Sequence, residues 1–230
     1  MSNKNKIEEY KKLLDISIAK ASNFESSLKH SDFQLGKWIV SWKEIETMHD
    51  VSYLHLMNNI CSYSDIRHLH VGFFQGGSLL SCFEGENNPT VYAVDNFFGL
   101  KNTEDQRNIK NFLNNVFRLG HQGKFTLFAE DFVHLDLSKI KHKINFHVYD
   151  AHHEEEAQFK GIDYFDPIFD DVFMLLVDDF KMNLNGDPFP PAEIGTRRAL
   201  EKNGYKIHYE RILEGPMWNY GHGLFVLEKG

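Results

Sequence analysis

The sequence predicts an α/β fold, a three-layer sandwich in which a mostly parallel sheet is covered on both faces by helices. Three observations predict it. From Ile66 onward, strand-like runs alternate with helix-like segments, the pattern of parallel strands joined by crossover helices. The apolar run Ile66 to Val71 enters a glycine-marked turn, His70-Val71-Gly72-Phe73-Phe74-Gln75-Gly76-Gly77-Ser78, and leaves it through Ser78 to Phe83, which reads as the first turns of a helix. The next run, Val91-Tyr92-Ala93-Val94-Asp95, closes on an acid, placed where a carboxylate accepts both hydroxyls of a ribose.

Taken in order, Lys6 to about Lys29 is a charged stretch with Ile7, Tyr10, Leu13, Leu14, Ile16 and Ile18 as an apolar stripe, which predicts a helix. Ser31 to Ser41, with Gly36, reads as a connection, and Trp42 to Ile60 as a second helix burying Ile45, Met48, Val51, Leu54, Leu56 and Met57. Residues 1–62 are therefore expected to be a helical extension packed on a core of residues 63–230. Strands are expected at Ile66 to Val71, Thr90 to Asp95, Lys124 to Phe128, Ile144 to Tyr149, Val172 to Val177, Lys206 to Ile212 and Leu224 to Leu227. Helices fall at Thr103 to Leu119, opened by Thr103-Glu104-Asp105-Gln106, and at Pro191 to Asn203, closed by Gly204. The segment Glu214 to Gly223 is too short and turn-rich for a crossover helix, so the last two strands form an antiparallel hairpin.

With 230 residues, 42% hydrophobic and 14% aromatic, the chain is long enough to bury a full core as one globular unit. A net charge of −8 and a pI near 5.9, with no basic stripe, oppose a nucleic-acid surface. Cys61 and Cys82 sit in apolar contexts and read as buried reduced thiols. No apolar run is long enough to span a bilayer and Met1 to Lys6 does not open a signal peptide, so the expected compartment is the cytoplasm, without a membrane partner.

The turn reads Gly72-x-x-x-Gly76-Gly77 and lacks the middle glycine of G-x-G-x-x-G, which disfavours a dinucleotide and leaves a nucleoside-type cofactor. Together with Val91 to Asp95, it resembles the cofactor-binding start of class I S-adenosylmethionine-dependent methyltransferases. The continuation Asp95-Asn96-Phe97-Phe98-Gly99-Leu100 is similar to the macrocin O-methyltransferase type. The resemblance runs by pattern from Ile66 to the C-terminus. It implies a Rossmann-like sheet of seven strands in the order 3-2-1-4-5-7-6 and S-adenosylmethionine as cofactor. The cofactor-binding residues it implies are His70, Gly72, Gly76, Ser78, Asp95, Asn96, Phe97, Glu130, Asp131 and Asp150, with Glu130 or Asp131 accepting from the adenine amino group. The first strand departs from the pattern, carrying His70 where similar enzymes have an acid.

Strand ends carry the expected chemistry, because ligands of such sheets collect beyond the carboxyl ends of the strands. If the fourth and fifth strands are near neighbours, Asp150, Asp178 and Asp179 converge. Three carboxylates at one mouth repel unless a cation neutralises them, and an oxygen-rich set suits Mg²⁺, with Mn²⁺ as a substitute. The resemblance assigns these same three acids to a metal. Where it implies Asp-Gly-Asp-His after the fourth strand, the chain reads Asp150-Ala151-His152-His153, so His152, then His153, is the candidate base beside Asp150. Capping of the acidic stretch Glu154-Glu155-Glu156 is the competing role for both histidines, and histidine ligands would favour iron or zinc.

The long polar loop Lys181 to Pro191 and the hairpin residues Trp218, Asn219 and Tyr220 are candidates for an acceptor pocket. From the resemblance, the acceptor is a hydroxylated small molecule such as a sugar unit or a natural product. The N-terminal helices either cover one side of the cleft or contact a second copy in a homodimer. The competing reading is a non-catalytic relative that kept the fold and binds an adenosine-type ligand, motivated by His70 and the missing second acid.

Overall fold

The computed structural model of the chain describes residues 2–28, 32–34, 37–40, 43–46, 49–97, 103–183 and 190–230. Trp42, Met48, the Phe98-Gly99-Leu100 end of the quoted motif and Leu184 to Phe189 of the expected acceptor loop lie outside these residues.

Helix α1 (Asn3–Ala21) is capped by the Ser2 side chain, which accepts from the Asn5 N–H, and buries Ile7, Tyr10, Leu14, Ser17 and Ala21 along one face. Strands β1 (Asp32–Gln34), β2 (Lys37–Val40) and β3 (Lys43–Glu46) follow as a three-stranded antiparallel sheet. This corrects the expected connection at Ser31 to Ser41 and helix from Trp42. Trp38, Ile39, Val40 and Ile45 are residue types that favour a pleated surface, a preference that spacing alone does not register. Helix α2 begins only at Val51 and runs to Cys61, with Ser52 to Cys61 buried on every side. It lies between α1 and the start of the core rather than at the surface.

The core elements are β4 (Arg67–Val71), α3 (Gly77–Ser81), β5 (Thr90–Val94), α4 (Thr103–Leu119), β6 (Phe125–Phe128), β7 (Ile144–Tyr149), α5 (Glu155–Asp163), β8 (Phe169–Val177), α6 (Pro191–Lys202), β9 (Lys206–Gly215) and β10 (Trp218–Glu228). The seven strands from β4 on form one sheet in the order β6-β5-β4-β7-β8-β10-β9, which is the expected 3-2-1-4-5-7-6. β4 to β8 pair in parallel, and β10 is antiparallel to both β8 and β9. Both faces are buried. Along β8, Val172, Met174 and Leu176 enter the core shared with α1 to α4, while Phe173, Leu175 and Val177 enter the one under α5 and α6.

The central strands also bury imidazoles. His68 and His70 on β4 and His147 on β7 are fully buried. Burial pushes His147 down to about 4 and His68 to about 3, and His70 well below the usual histidine value. Each is neutral when folded and charges on unfolding. Its contribution to stability is therefore present above about pH 6.5 and is lost as the pH falls toward the folded value. Replacing His147 by Phe is expected to flatten the pH dependence of the unfolding free energy between pH 4 and 6.5 by about 1.4 kcal/mol per pH unit, one proton's worth. Urea denaturation across that range measures it.

Candidate active site

The backbone ladder continues past the strands and lines up their ends. Gly72 N–H donates to Val94 O, Asp95 N–H to Phe128 O, Asp150 N–H to Val71 O and Asp178 N–H to Tyr149 O, all at 2.8 to 3.1 Å. Asp150 and Asp178 thus leave adjacent parallel strands side by side. A cavity of about 680 Å³ opens there, at the point where the chain order reverses between β4 and β7.

Gly72, Asp95, Asn96, Glu130, Asp131, Asp150, His152, His153, Asp178 and Asp179 of the expected site residues line this cavity. His70, Gly76, Ser78 and Phe97 do not. His70 Nε2 lies 3.2 Å from Ser78 Oγ, both fully buried, so the departure from the family pattern is absorbed inside the core. Phe97 packs its ring against Phe73 and Phe112. Gly76 has a φ of 95° and starts α3, with Leu80 and Phe112 side chains against its α-carbon. Gly72, expected to admit a ligand, instead admits the neighbouring strand. At a φ of 79°, a β-carbon there would meet the Asp150 carbonyl oxygen at 2.0 Å.

The position where a dinucleotide fingerprint has its middle glycine is Phe74, which keeps the left-handed backbone (φ 50°) and lines the cavity with a ring. Phe97 (φ 48°) and Asp179 (φ 50°) share that conformation at the ends of β5 and β8. Such backbone costs of order 1 kcal/mol or more per residue and gathers at binding sites.

Asp95 sits against the bend, as the reading requires. Its Oδ2 accepts from Phe73 N–H at 3.0 Å and its Oδ1 from Phe97 N–H at 2.6 Å. Burial raises its pKa despite these donors. The carboxylate also lines the cavity. Asp131 caps the turn Phe132–His134 by accepting from Val133 N–H, and Glu130 pairs with Lys139 at 3.5 Å.

The far wall is a cluster of acids and imidazoles. The Asp150 and Asp178 carboxyls stand close enough for each to act on the other's charge. Burial and the negative charges of Asp178 and Asp179 push Asp150 well above the usual carboxylate range. Burial also pushes Asp178 up, yet His222 and His49 beside it win and hold it low. Asp179 rises to about 7 through burial and the charge on Asp178. His49 Nε2 is 3.0 Å from Asp150 Oδ2 and its Nδ1 is 3.8 Å from Asp178 Oδ2. His222 Nδ1 is 2.7 Å from Asp178 Oδ1, but neither atom completes an aligned hydrogen bond, so the pair is an electrostatic contact. His153 Nε2 reaches Asp179 Oδ2 at 3.4 Å. His153 therefore does not cap α5, whose cap residue Glu154 makes no side-chain hydrogen bond.

Two of these groups were not legible as site residues. His49 falls in the stretch read as a helix, and His222 in what read as a turn. Both enter the cavity because the segment before α2 and the start of β10 close over the strand ends. Asp50 accepts from Asn219 N–H and ties the two together. Asn219 and Tyr220 line the cavity, while Trp218 is buried behind it against His222.

The sheet order and the antiparallel last pair define a Rossmann-like three-layer α/β fold, with a cavity at the β4/β7 switch. No protein-family model matches the sequence, and no curated protein matches it. Solved structures do. A putative caffeoyl-CoA O-methyltransferase from Staphylococcus aureus superposes with a TM-score of 0.59 at 10% identity, covering 81% of this chain and 86% of that one. Cofactor-bound Rv0187 from MTB gives 0.58 at 14% identity over 95% and 90% of the chains. M. capricolum TrmK in complex with S-adenosylhomocysteine gives 0.52 at 13% identity over 77% and 67%. At these identities the likeness establishes a shared fold.

Gly72→Ala tests the strand-end geometry. The added methyl separates the ends of β4 and β7, so urea denaturation is expected to show a loss of about 1–3 kcal/mol. Asp95→Ala leaves two turn N–H groups without their carboxylate and is expected to cost a similar amount, about 1–3 kcal/mol, by the same measurement.

Proposed function

We propose that the protein is an S-adenosylmethionine-dependent methyltransferase that methylates a hydroxyl oxygen of a small molecule, with a divalent cation such as Mg²⁺ or Mn²⁺ at the acidic wall. The observation that carries this reading is Asp95 held against the glycine bend at one end of a cavity whose other end gathers Asp150, Asp178 and Asp179. Its volume suits a nucleoside cofactor together with a small acceptor. Its acidic lining, which also includes Glu130, Asp131, Glu154 and Glu156, suits the cationic charge of a sulfonium.

When bound, S-adenosylmethionine supplies an electrophilic methyl group. The chain's residues supply the rest. Asp95 and Asn96 hold the ribose, and Glu130, Asp131 and Phe132 form the adenine end of the cleft. Asp150 and Asp178 would hold a divalent cation, which would supply Lewis-acid activation of an acceptor hydroxyl.

The proton then needs a base within the same wall. His153 suits this better than His152, because Asp179 orients its ring and burial keeps its pKa below the usual value, leaving it unprotonated at neutral pH. His152 is exposed on the side of the cavity nearer Asp95. Asn219 and Tyr220, with the acceptor on the hairpin side, fit a sugar or other hydroxylated ring. The competing non-catalytic reading loses its first motive, since His70 lies away from the cavity.

Calorimetric titration with S-adenosylmethionine and S-adenosylhomocysteine, with and without Mg²⁺, tests the core of the reading. Both ligands are expected to bind, and Asp95→Ala to weaken both about tenfold or more. Absence of heat for either ligand would refute the assignment. Release of S-adenosylhomocysteine in the presence of a panel of hydroxylated glycosides and phenols tests the chemistry. His153→Ala is expected to lower turnover about 10²- to 10⁴-fold while sparing cofactor affinity.

A further inference from the structure

We propose that the cation site of this chain is a mixed imidazole and carboxylate centre formed by His49, Asp150 and Asp178, with Asp179 outside it, and that it prefers a first-row transition ion to Mg²⁺. The inference rests on the preceding reading only for what the ion does; the site itself stands on geometry.

An all-carboxylate set is what the strand-end acids lead one to expect. The structure breaks that set. One ligand atom each from His49, Asp150 and Asp178 lies within 4.8 Å of the other two, whereas Asp179 is not in that group. The left-handed backbone at Asp179 turns its carboxylate to His153 instead. Ligand atoms about 2.1 Å from one ion stand about 3 Å apart when at right angles. His49 Nε2 and Asp150 Oδ2, at 3.0 Å, already have that spacing.

The surroundings hold this arrangement in place. Tyr53 is fully buried and its ring meets both the His49 and His222 rings at tilted angles, with centroids 4.4 and 4.6 Å away. His222, 3% exposed, contacts Asp178 from behind without an aligned hydrogen bond, and its Nε2 and Asp178 Oδ1 have no hydrogen-bond partner among the described residues. Buried polar atoms in that state point to a ligand that completes them.

The donor set then decides the metal. Carboxylates alone suit Mg²⁺, but an imidazole nitrogen adds affinity for Mn²⁺, Fe²⁺ and Zn²⁺ and little for Mg²⁺. It also divides the labour among the acids. Asp150 and Asp178 hold the ion, and Asp179 orients the neighbouring His153.

The test uses Mn²⁺ as probe on the full chain stripped of metal with a chelator. Loss of the free Mn²⁺ electron paramagnetic resonance signal counts sites and gives affinity, Mg²⁺ competes in the same tube, and electron spin-echo modulation detects a directly bound nitrogen. One Mn²⁺ per chain is expected, bound at least about tenfold tighter than Mg²⁺ and showing ¹⁴N modulation. His49→Gln is expected to abolish the modulation and weaken Mn²⁺ about tenfold or more, whereas Asp179→Asn leaves the modulation intact. Circular dichroism and S-adenosylhomocysteine titration of each variant separate a lost ligand from a lost fold. No Mn²⁺ site, no ¹⁴N signal, a signal that survives in His49→Gln, or one lost in Asp179→Asn overturns the proposal. A protein that binds Mn²⁺ through His49 but no S-adenosylhomocysteine keeps this centre and loses the methyltransferase reading; the converse loses only the centre.

Discussion

Two carboxylates held side by side at neighbouring strand ends are the constraint that the site is organised around. Asp178 N–H bonds to Tyr149 O, so the residue following β8 must stand beside the residue following β7. Parallel pairing leaves no freedom to move one acid along the other. Unscreened, two such charges repel by several kcal/mol at the dielectric of a half-buried site. The chain answers with imidazoles on both sides, His49 against Asp150 and His222 against Asp178. Both imidazoles come from outside the parallel core. The segment before α2 and the start of β10 are therefore parts of the site and not merely its covers.

The same geometry explains why the glycine turn has its sequence. Asp150 can approach Val71 only because Gly72 has no β-carbon, and Asp95 then ties the turn to its own segment by accepting from Phe73 N–H and Phe97 N–H. The glycine serves strand packing first and the cavity second. Phe74 takes the strained backbone that glycine would adopt freely, and the gain is an aromatic wall.

What was legible in the sequence follows from what periodicity encodes. β4 to β8 were readable because each is a short run rich in β-branched, aromatic and other apolar residues, and α4 and α6 because each has a start or stop residue. Thr103–Leu119 has the expected bounds. The acids at the strand ends were readable for the same reason, since a strand whose end is known places its next residue. β1 to β3 were not, because β1 and β2 fall in a short glycine-bearing stretch that reads as a connection, and the spacing around β3 also fits a helix. His49 and His222 were invisible on different grounds. Their role depends on which segments fold back over the sheet, and no local pattern carries that. His70 misled because position relative to the glycine turn was taken for direction, and its ring lies inside the sheet's covering layer, bonded to Ser78.

Burying five imidazoles and three strand-end acids in or beside the central strands costs stability that apolar residues would not. In the core, His68 and His70 contribute ring packing, with centroids 5.0 Å apart and His68 4.7 Å from Phe146, while remaining neutral. At the strand ends, packing cannot be the reason, because Asp150, Asp178 and Asp179 line an open cavity. Two acids held side by side, a third turned aside by strained backbone and a histidine brought in from another segment form an arrangement that folding alone does not require. Its polar groups are mutually compensated only in part, and the remainder, Asp178 Oδ1 and the His222 nitrogens, are atoms that a bound cation and its ligands would complete.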